Sequence, residues 1–367
     1  MKIFVAGTRG FPGVQGGVER HCEELYPRLV RLGCEVTVFT RTPYIPERAR
    51  LKEWKGVRFI HLWCPKKKSL EAITHTTLAA MRTIAGRPDI LHIHGIGPAL
   101  LAPVARAGGI KVVMTHHGPD YMRAKWGRAA KTILKLGESA GVRSASAVIT
   151  ISKGIREHIK ELYNRDAVII PNGVTIPALI PPGPMMKRFG LKPREYVFTA
   201  CRFVPEKGLE VLIDAYRALK NPSFKVVIAG DADHETDYSR KIKAMAKEAP
   251  GVVLAGFQSG DSLGELFSNA GIFVLPSFFE GLPIALLEAL SYGLPALISD
   301  IPQHLEVPLD KGCYFRSGDS DALSRALADF KGISSTRGSY IPLVRGEYDW
   351  DNIALRTLEV YKGFFNQ

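Results

Sequence analysis

The 367-residue sequence predicts an α/β protein built from two doubly wound, Rossmann-like domains facing one another across a cleft. Three observations carry that expectation. Strand-like apolar runs alternate with helical periods along the chain, the pattern of parallel sheets covered by helices. The alternation restarts after a proline-rich interval running from Pro171 to Pro184. The glycines, histidines and charges gather in loops after strands, where open α/β sheets bind ligands.

Each element follows from its residues. The apolar start, Met1 to Ala6, is too short for a signal core and reads as a first strand, 2–6. Further strands are expected at 35–40, 57–62, 90–94, 111–115 and 147–151, with helices near 17–32, 69–85, 98–107, 127–142 and 153–163. The second cycle opens at Tyr196–Ala200. It continues through helix 207–219, strand 224–229, helix 238–248, strand 252–255, helix 261–269, strand 271–275, helix 283–292, strand 295–298 and a helix near 319–330. Pro177, Pro181, Pro182 and Pro184 mark the linker between cycles. Residues 350–365 carry apolar side chains at helical spacing and read as a closing helix that crosses back to the first domain. The expected domains are therefore 1–180, 181–348 and a closing segment 349–367.

Charge divides the chain in the same place. Residues 1–180 hold 28 Lys+Arg against 13 Asp+Glu, a net of +15; residues 181–367 hold 21 against 23, a net of −2. A basic half attracts phosphorylated substrates, anionic lipid or nucleic acid. Its densest parts are Lys66-Lys67-Lys68 and the segment Arg123 to Arg128; the plain alternative is a solvated basic face. Five scattered cysteines, odd in number, form no Cys-x-x-Cys pair, so neither a zinc ribbon nor a disulfide frame is suggested and a reducing, cytoplasmic compartment is expected.

The chemistry concentrates in four loops. Glu280 and Glu288 flank a strand-loop-helix turn, with Gly281 open to a ligand and Pro283 placed in the first helical turn. A helix opening beside two carboxylates offers N–H groups to an anion and oxygens to hydroxyls, which together suit a nucleotide sugar. Two solvated acids are the plain alternative. Arg202 and Lys207 flank the loop after strand 196–200, a fork and a point charge for phosphate oxygens; a pair of surface cations is the alternative. The loop Gly7 to Gly17 is not G-x-G-x-x-G, so a nicotinamide cofactor is disfavoured, yet Gly16-Gly17 still leaves N–H groups room for an anion. His92, His94, His116 and His117 close two strands. A metal, a hydroxyl-binding lining and satisfied loop histidines are the open readings, and the lining is favoured because carboxylate and cysteine companions are lacking. The Asp231/Asp233, Asp319/Asp321 and Asp349/Asp351 pairs are read as loop and cap residues.

These pieces in this order resemble the GT-B glycosyltransferases of family 4, the large retaining group, over nearly the whole chain. Arg202-x4-Lys207-Gly208, Pro171-Asn172-Gly173-Val174 and Pro276-Ser-x-x-Glu280-Gly-x-Pro carry the likeness, with Glu288 in the helix that follows. The resemblance implies a GT-B fold and a metal-independent, retaining transfer that needs no cofactor beyond its donor, a nucleoside-diphosphate sugar. It implies that Arg202 and Lys207 hold the diphosphate and that Glu280, with the backbone of Gly281 and Leu282, holds the sugar. Glu288 would grip the ribose, and Gly16 and Gly17 would approach the diphosphate. His117 would lie at the transferred sugar, with His94 as an acceptor or sugar contact. Catalysis would rest on His117, Arg202, Lys207 and Glu280. Cys201 departs from the family, where Gly is common. The opening Gly7-Thr-Arg-Gly-Phe-Pro-Gly13 with Gly16-Gly-Val-Glu19 resembles a subgroup linked to rhamnosyl transfer in bacterial polysaccharide assembly.

The basic half then suggests a glycan or lipid-linked acceptor and peripheral contact with an anionic membrane at the inner face of the cell membrane. A nucleotide-sugar epimerase of the same plan is the alternative activity. Nucleic acid is not expected as a partner, because the aromatics of the basic half form no stacking series.

Overall fold

The computed structural model describes residues 1–14, 16–65, 68–122, 127–232 and 234–365. Gln15, Lys66, Lys67, residues 123–126 and Asp233 lie outside the described residues, and with them most of the two basic clusters and one member of the first Asp pair.

The chain divides into two units, Met1–Gly173 with Trp350–Gln367, and Val174–Asp349. In the first unit the strands are β1 (Lys2–Ala6), β2 (Glu35–Arg41), β3 (Glu53–Trp54), β4 (Val57–Leu62), β5 (Ile90–His94), β6 (Lys111–His116), β7 (Ala147–Thr150) and β8 (Val168–Ile169). They form one sheet in the order β3-β4-β2-β1-β5-β6-β7-β8, parallel except for the β3–β4 pair. Helices α1 (Gly17–Arg31), α2 (Lys68–Gly86), α3 (Ala102–Ala107), α4 (Arg128–Ser144) and α5 (Lys153–Tyr163) make the crossovers. The strands read as near-continuous apolar runs because both faces are covered; β5, for example, is buried at all five positions.

In the second unit, β9 (Tyr196–Ala200), β10 (Lys225–Ala229), β11 (Val252–Gly256), β12 (Ile272–Leu275), β13 (Ala296–Ser299) and β14 (Tyr314–Phe315) form a parallel sheet ordered β11-β10-β9-β12-β13-β14. Its helices include α6 (Pro184–Phe189), α7 (Leu209–Arg217), α8 (Asp237–Lys247), α9 (Gly260–Asn269), α10 (Ile284–Ser291), α11 (Pro302–Leu305) and α12 (Ser320–Ala328). Both units are thus Rossmann-like, and each reverses strand order once, between β1 and β5 and between β9 and β12. Those reversals are where such sheets open a ligand crevice.

The unit boundary falls between Gly173 and Val174, not at 180. The backbone N–H of Val174 donates to Tyr348 O at 2.7 Å, and that of Ile180 to Ser268 Oγ at 2.9 Å, so residues 174–180 are tied to the second unit. The proline-rich interval is not wholly linker either. Pro184 opens α6, where its missing N–H costs nothing. Helix Trp350–Lys362 buries Trp350, Ile353, Ala354, Leu358 and Tyr361 in the core of the first unit. Gly173 allows this: a Cβ there would stand 2.6 Å from the Trp350 ring.

Candidate functional site

In the second unit, the β9 and β12 loops meet beside the reversal of strand order. Gly208 makes the meeting possible. It adopts φ +59°, and a Cβ there would lie 2.3 Å from Pro276 O. The backbone N–H of Phe278 donates to Glu206 O at 2.8 Å, locking one loop onto the other. Lys207 and Glu280 are thereby brought together, with Nζ 2.5 Å from Oε1. Ser277 donates its hydroxyl to the same oxygen at 2.7 Å. Burial pushes the Glu280 carboxyl up, but the Lys207 ammonium, His304 and the Ser277 hydroxyl outweigh it, and its pKa lies below the ordinary value. The carboxylate therefore stays ionised and holds the lysine in place.

The other residues predicted in the second unit lie in the same two loops or in the helix that follows them. Arg202 follows β9 and is half-buried. Gly281 and Leu282 lie in the turn before α10. Pro283 is the residue preceding α10, not part of its first turn; its carbonyl accepts from the N–H groups of Leu286 and Leu287. Glu288 is half-buried in α10. Cys201 precedes Arg202, and burial raises its thiol to about 12, so it stays protonated.

His304 is a residue that sequence reasoning missed. It is fully buried, its Nδ1 lies 2.8 Å from Ser299 O, and its Nε2 has no hydrogen-bond partner. Burial lowers its pKa while the Glu280 carboxylate opposes that shift, so the two groups are electrostatically linked. Nothing in a lone histidine after a strand signals this link.

In the first unit, Gly16 caps α1 and Gly17 opens it. Gly16 has φ +152°, and a Cβ there would stand 2.0 Å from Glu19 Oε2. The buried Glu19 carboxylate accepts from Arg9 N at 3.0 Å and Arg9 Nε at 3.2 Å, so it organises the glycine loop. Close by in the chain, His21 points into a histidine cluster. Its Nδ1–H donates to Asn172 Oδ1 at 2.9 Å, and its buried Nε2 has no partner. His94 Nδ1 lies 3.0 Å from His117 Nε2, and His94 Nε2 contacts the Tyr26 hydroxyl. His92, from the same strand, shares that Tyr26 hydroxyl and also bonds Tyr361 and Thr115.

The cluster is electrically neutral. Burial lowers His21 to about 4 despite the Asn172 bond. Burial, reinforced by the neighbouring imidazoles, lowers His94 and His117 well below the ordinary value. His116 turns away and serves structure. Its Nε2–H donates to the buried Glu138 at 2.7 Å while its Nδ1 accepts from Gly118 N–H at 3.1 Å, fixing the turn that presents His117. The structure therefore brings His94 and His117 together and adds His21, whose link to Asn172 spans 151 positions. Of the Asp-x-Asp pairs, Asp231 bonds Ala232 N and Lys243 and Asp319 caps α12, as loop and cap residues do, whereas Asp351 reaches back to Arg28 and Arg31 of α1.

Comparison with known proteins covers both units. Residues 15–176 match the family model Glycosyltransferase Family 4, and residues 185–340 match Glycosyl transferases group 1. An uncharacterized glycosyltransferase of Methanocaldococcus jannaschii is 28% identical over 99% of this chain and 98% of its own. The Escherichia coli UDP-Gal:alpha-D-GlcNAc-diphosphoundecaprenol alpha-1,3-galactosyltransferase is 30% identical over 58% of each chain. Among solved structures, sucrose-phosphate synthase from Thermosynechococcus elongatus aligns over 99% of both chains with a TM-score of 0.83 at 19% identity. Anabaena HepE, solved in complex with UDP-glucose, aligns over 99% of this chain and 100% of its own with a TM-score of 0.81 at 17% identity. At those identities the structural likeness speaks to the fold, which is the two-domain GT-B arrangement.

Proposed function

The chain belongs to the glycosyltransferases of the family 4 and group 1 type, and from that premise we propose a retaining transfer of sugar from a nucleoside-diphosphate donor to a glycan or lipid-linked acceptor in bacterial cell-surface polysaccharide synthesis. The Lys207–Glu280 pair at the β9/β12 reversal is the observation that carries this reading. Departure of the diphosphate builds negative charge on a phosphate oxygen and positive charge on the sugar ring. Arg202, Lys207 and the N–H groups at the start of α10 meet the first charge, so the leaving group needs no metal and the enzyme no cofactor beyond its donor. Preorganised charge of this kind is commonly the largest single aid to catalysis. The ionised Glu280 accepts hydroxyls of the donor sugar, alongside the backbone of Gly281 and Leu282, and Glu288 holds the ribose.

In the first unit, Gly16 and Gly17 leave α1 N–H groups free for the diphosphate, and His117 meets the transferred sugar with His94 behind it. The acceptor hydroxyl attacks from the face the diphosphate leaves. The names of relatives support the acceptor class: one acts on a diphosphoundecaprenol-linked sugar, another is an O-antigen chain mannosyltransferase. The opening loop Gly7–Glu19 supports rhamnose as the sugar. Among the described residues no helix is long and apolar enough to cross a membrane. The +15 charge of residues 1–180 supports peripheral docking on anionic lipid at the cytoplasmic face.

Thermal shift and calorimetry with UDP, GDP, dTDP and ADP and their sugars test the reading. One nucleotide class should bind the wild type and bind Lys207→Ala more weakly. Uptake of none of them would overturn it, and turnover of the donor to an isomer without acceptor would favour an epimerase instead.

A further inference from the structure

We propose that His21, His94 and His117 form a binding site for one late first-row divalent metal ion, Zn²⁺ in preference to Mg²⁺, within the first unit. One ligand atom from each ring lies within 4.8 Å of the other two. The three rings pack at centroid separations of 5.1 to 5.3 Å. His94 Nδ1 and His117 Nε2 already stand 3.0 Å apart. Two ligands at a metal–nitrogen distance of about 2.0–2.1 Å in tetrahedral geometry stand roughly 3.3 Å apart, so this pair needs little movement.

His21 supplies the independent sign of a missing ligand. Its Nε2 is buried and bonded to nothing, while Asn172 Oδ1 fixes its proton on Nδ1. A buried nitrogen lone pair without a donor is costly, and a metal ion satisfies it. Neutral imidazole suits zinc and its neighbours, whereas hard cations prefer oxygen.

The proton accounting closes without an external acid or base. Each ring keeps one N–H, on the nitrogen turned away from the metal. His21 Nδ1–H stays on Asn172. His94 carries its proton on Nε2 and donates it to the Tyr26 oxygen, while the Tyr26 hydroxyl keeps its own proton and turns it to His92 Nδ1, 3.0 Å away, a nitrogen it shares with Tyr361. His117 keeps Nδ1–H. The outer partners Asn172 and Tyr26 then do what partners of metal-bound histidines do, setting tautomer and ring orientation. His117 is the one member of the trio that is not fully buried, so an ion would enter from its side.

The test is Co²⁺ titration of the chelator-washed full-length protein. The expected result is one equivalent bound, with the visible absorption of a tetrahedral nitrogen-ligated ion, displaced by Zn²⁺ but not by Mg²⁺. His21→Gln should abolish that band. Asn172→Ala keeps all three imidazoles yet frees the tautomer, and should weaken affinity by about 10–100-fold. Absence of the band in the wild type would overturn the proposal, as would Co²⁺ binding of unaltered affinity in both variants. If His21→Gln does not fold, Asn172→Ala decides alone. Either outcome is distinguishable from failure of the proposed function, because binding of the free nucleoside diphosphates reads Arg202 and Lys207 of the second unit and none of the three imidazoles.

Discussion

Lys207 Nζ lies 2.5 Å from Glu280 Oε1, so a cation and an acid 73 positions apart in the chain act as one unit. Removing either partner leaves the other buried and uncompensated. Lys207→Ala and Glu280→Gln should each lower turnover of a confirmed donor by ~10²–10³, by analogy with the loss of one preorganised oxyanion donor. Their double variant should lose less than the product of the two losses, because the groups are coupled. Steady-state kinetics on the three variants checks this; near-normal turnover of Lys207→Ala would remove the lysine from the mechanism.

Gly208 is what allows that pair to form, since φ +59° and a 2.3 Å approach to Pro276 O both exclude a side chain. Gly208→Ala should destabilise the protein by roughly 1–3 kcal/mol through backbone strain. It should also reduce donor binding more than a substitution of equal cost elsewhere, because the two loops part. Denaturant melts together with calorimetry separate the two effects.

Acid should unfold the protein in two stages. Burial lowers His21 to about 4 and His92 to about 3; burial and Arg41 lower His75 to about 3. Unfolded, these histidines titrate near 6.5 and bind protons that the folded state refuses. Their contribution is complete above that value and falls steadily as pH drops toward 4. Glu280, depressed in the fold, adds stability above its unfolded pKa that is lost at still lower pH. His75→Phe, outside the candidate sites, should therefore flatten the fall in melting stability between pH 6.5 and 4.5. The difference should be roughly 2–3 kcal/mol at the lower end, at about 1.4 kcal/mol per pH unit. Equal slopes in the two proteins would refute the assignment.

The fold class was readable because it depends on local periodicity. A buried parallel strand such as β5 announces itself in five residues, and the turn-and-helix residues around Glu280 do so in about a dozen. What could not be read are contacts between distant positions. The boundary at Gly173 depends on Val174 meeting Tyr348, and on a glycine vacated for Trp350. His21 carries no motif of its own, and its place in the cluster shows only once Asn172 stands beside it. The histidine pairs were read without a third companion for the same reason. Short elements such as β8 and β14, two residues each, carry no period at all.

Charge on the first half should govern membrane docking. Exposed apolar side chains of that unit, Trp63, Met81, Met122 and Leu136, add a means of seating at an interface. Liposome flotation should recover the protein with vesicles containing anionic lipid and much less with neutral ones. The difference should shrink as salt rises past a Debye length of about 8 Å. Equal recovery from both kinds of vesicle would argue against docking by charge.

Metal dependence separates the two units' chemistry. If Arg202 and Lys207 carry the leaving group's charge, chelation should leave turnover unchanged, since no step draws on an ion. Added Zn²⁺ should instead inhibit, because an ion bound to His94 and His117 occupies the nitrogens that face the sugar in the proposed mechanism. His117 Nε2 can serve an ion or a hydroxyl, not both, so the donor sugar should compete with Zn²⁺ and raise the concentration needed for inhibition. Initial rates across a matrix of donor and Zn²⁺ concentrations, with a chelator series beside it, decide the matter. Loss of activity on chelation would place a metal in the reaction and displace the two cations from their role.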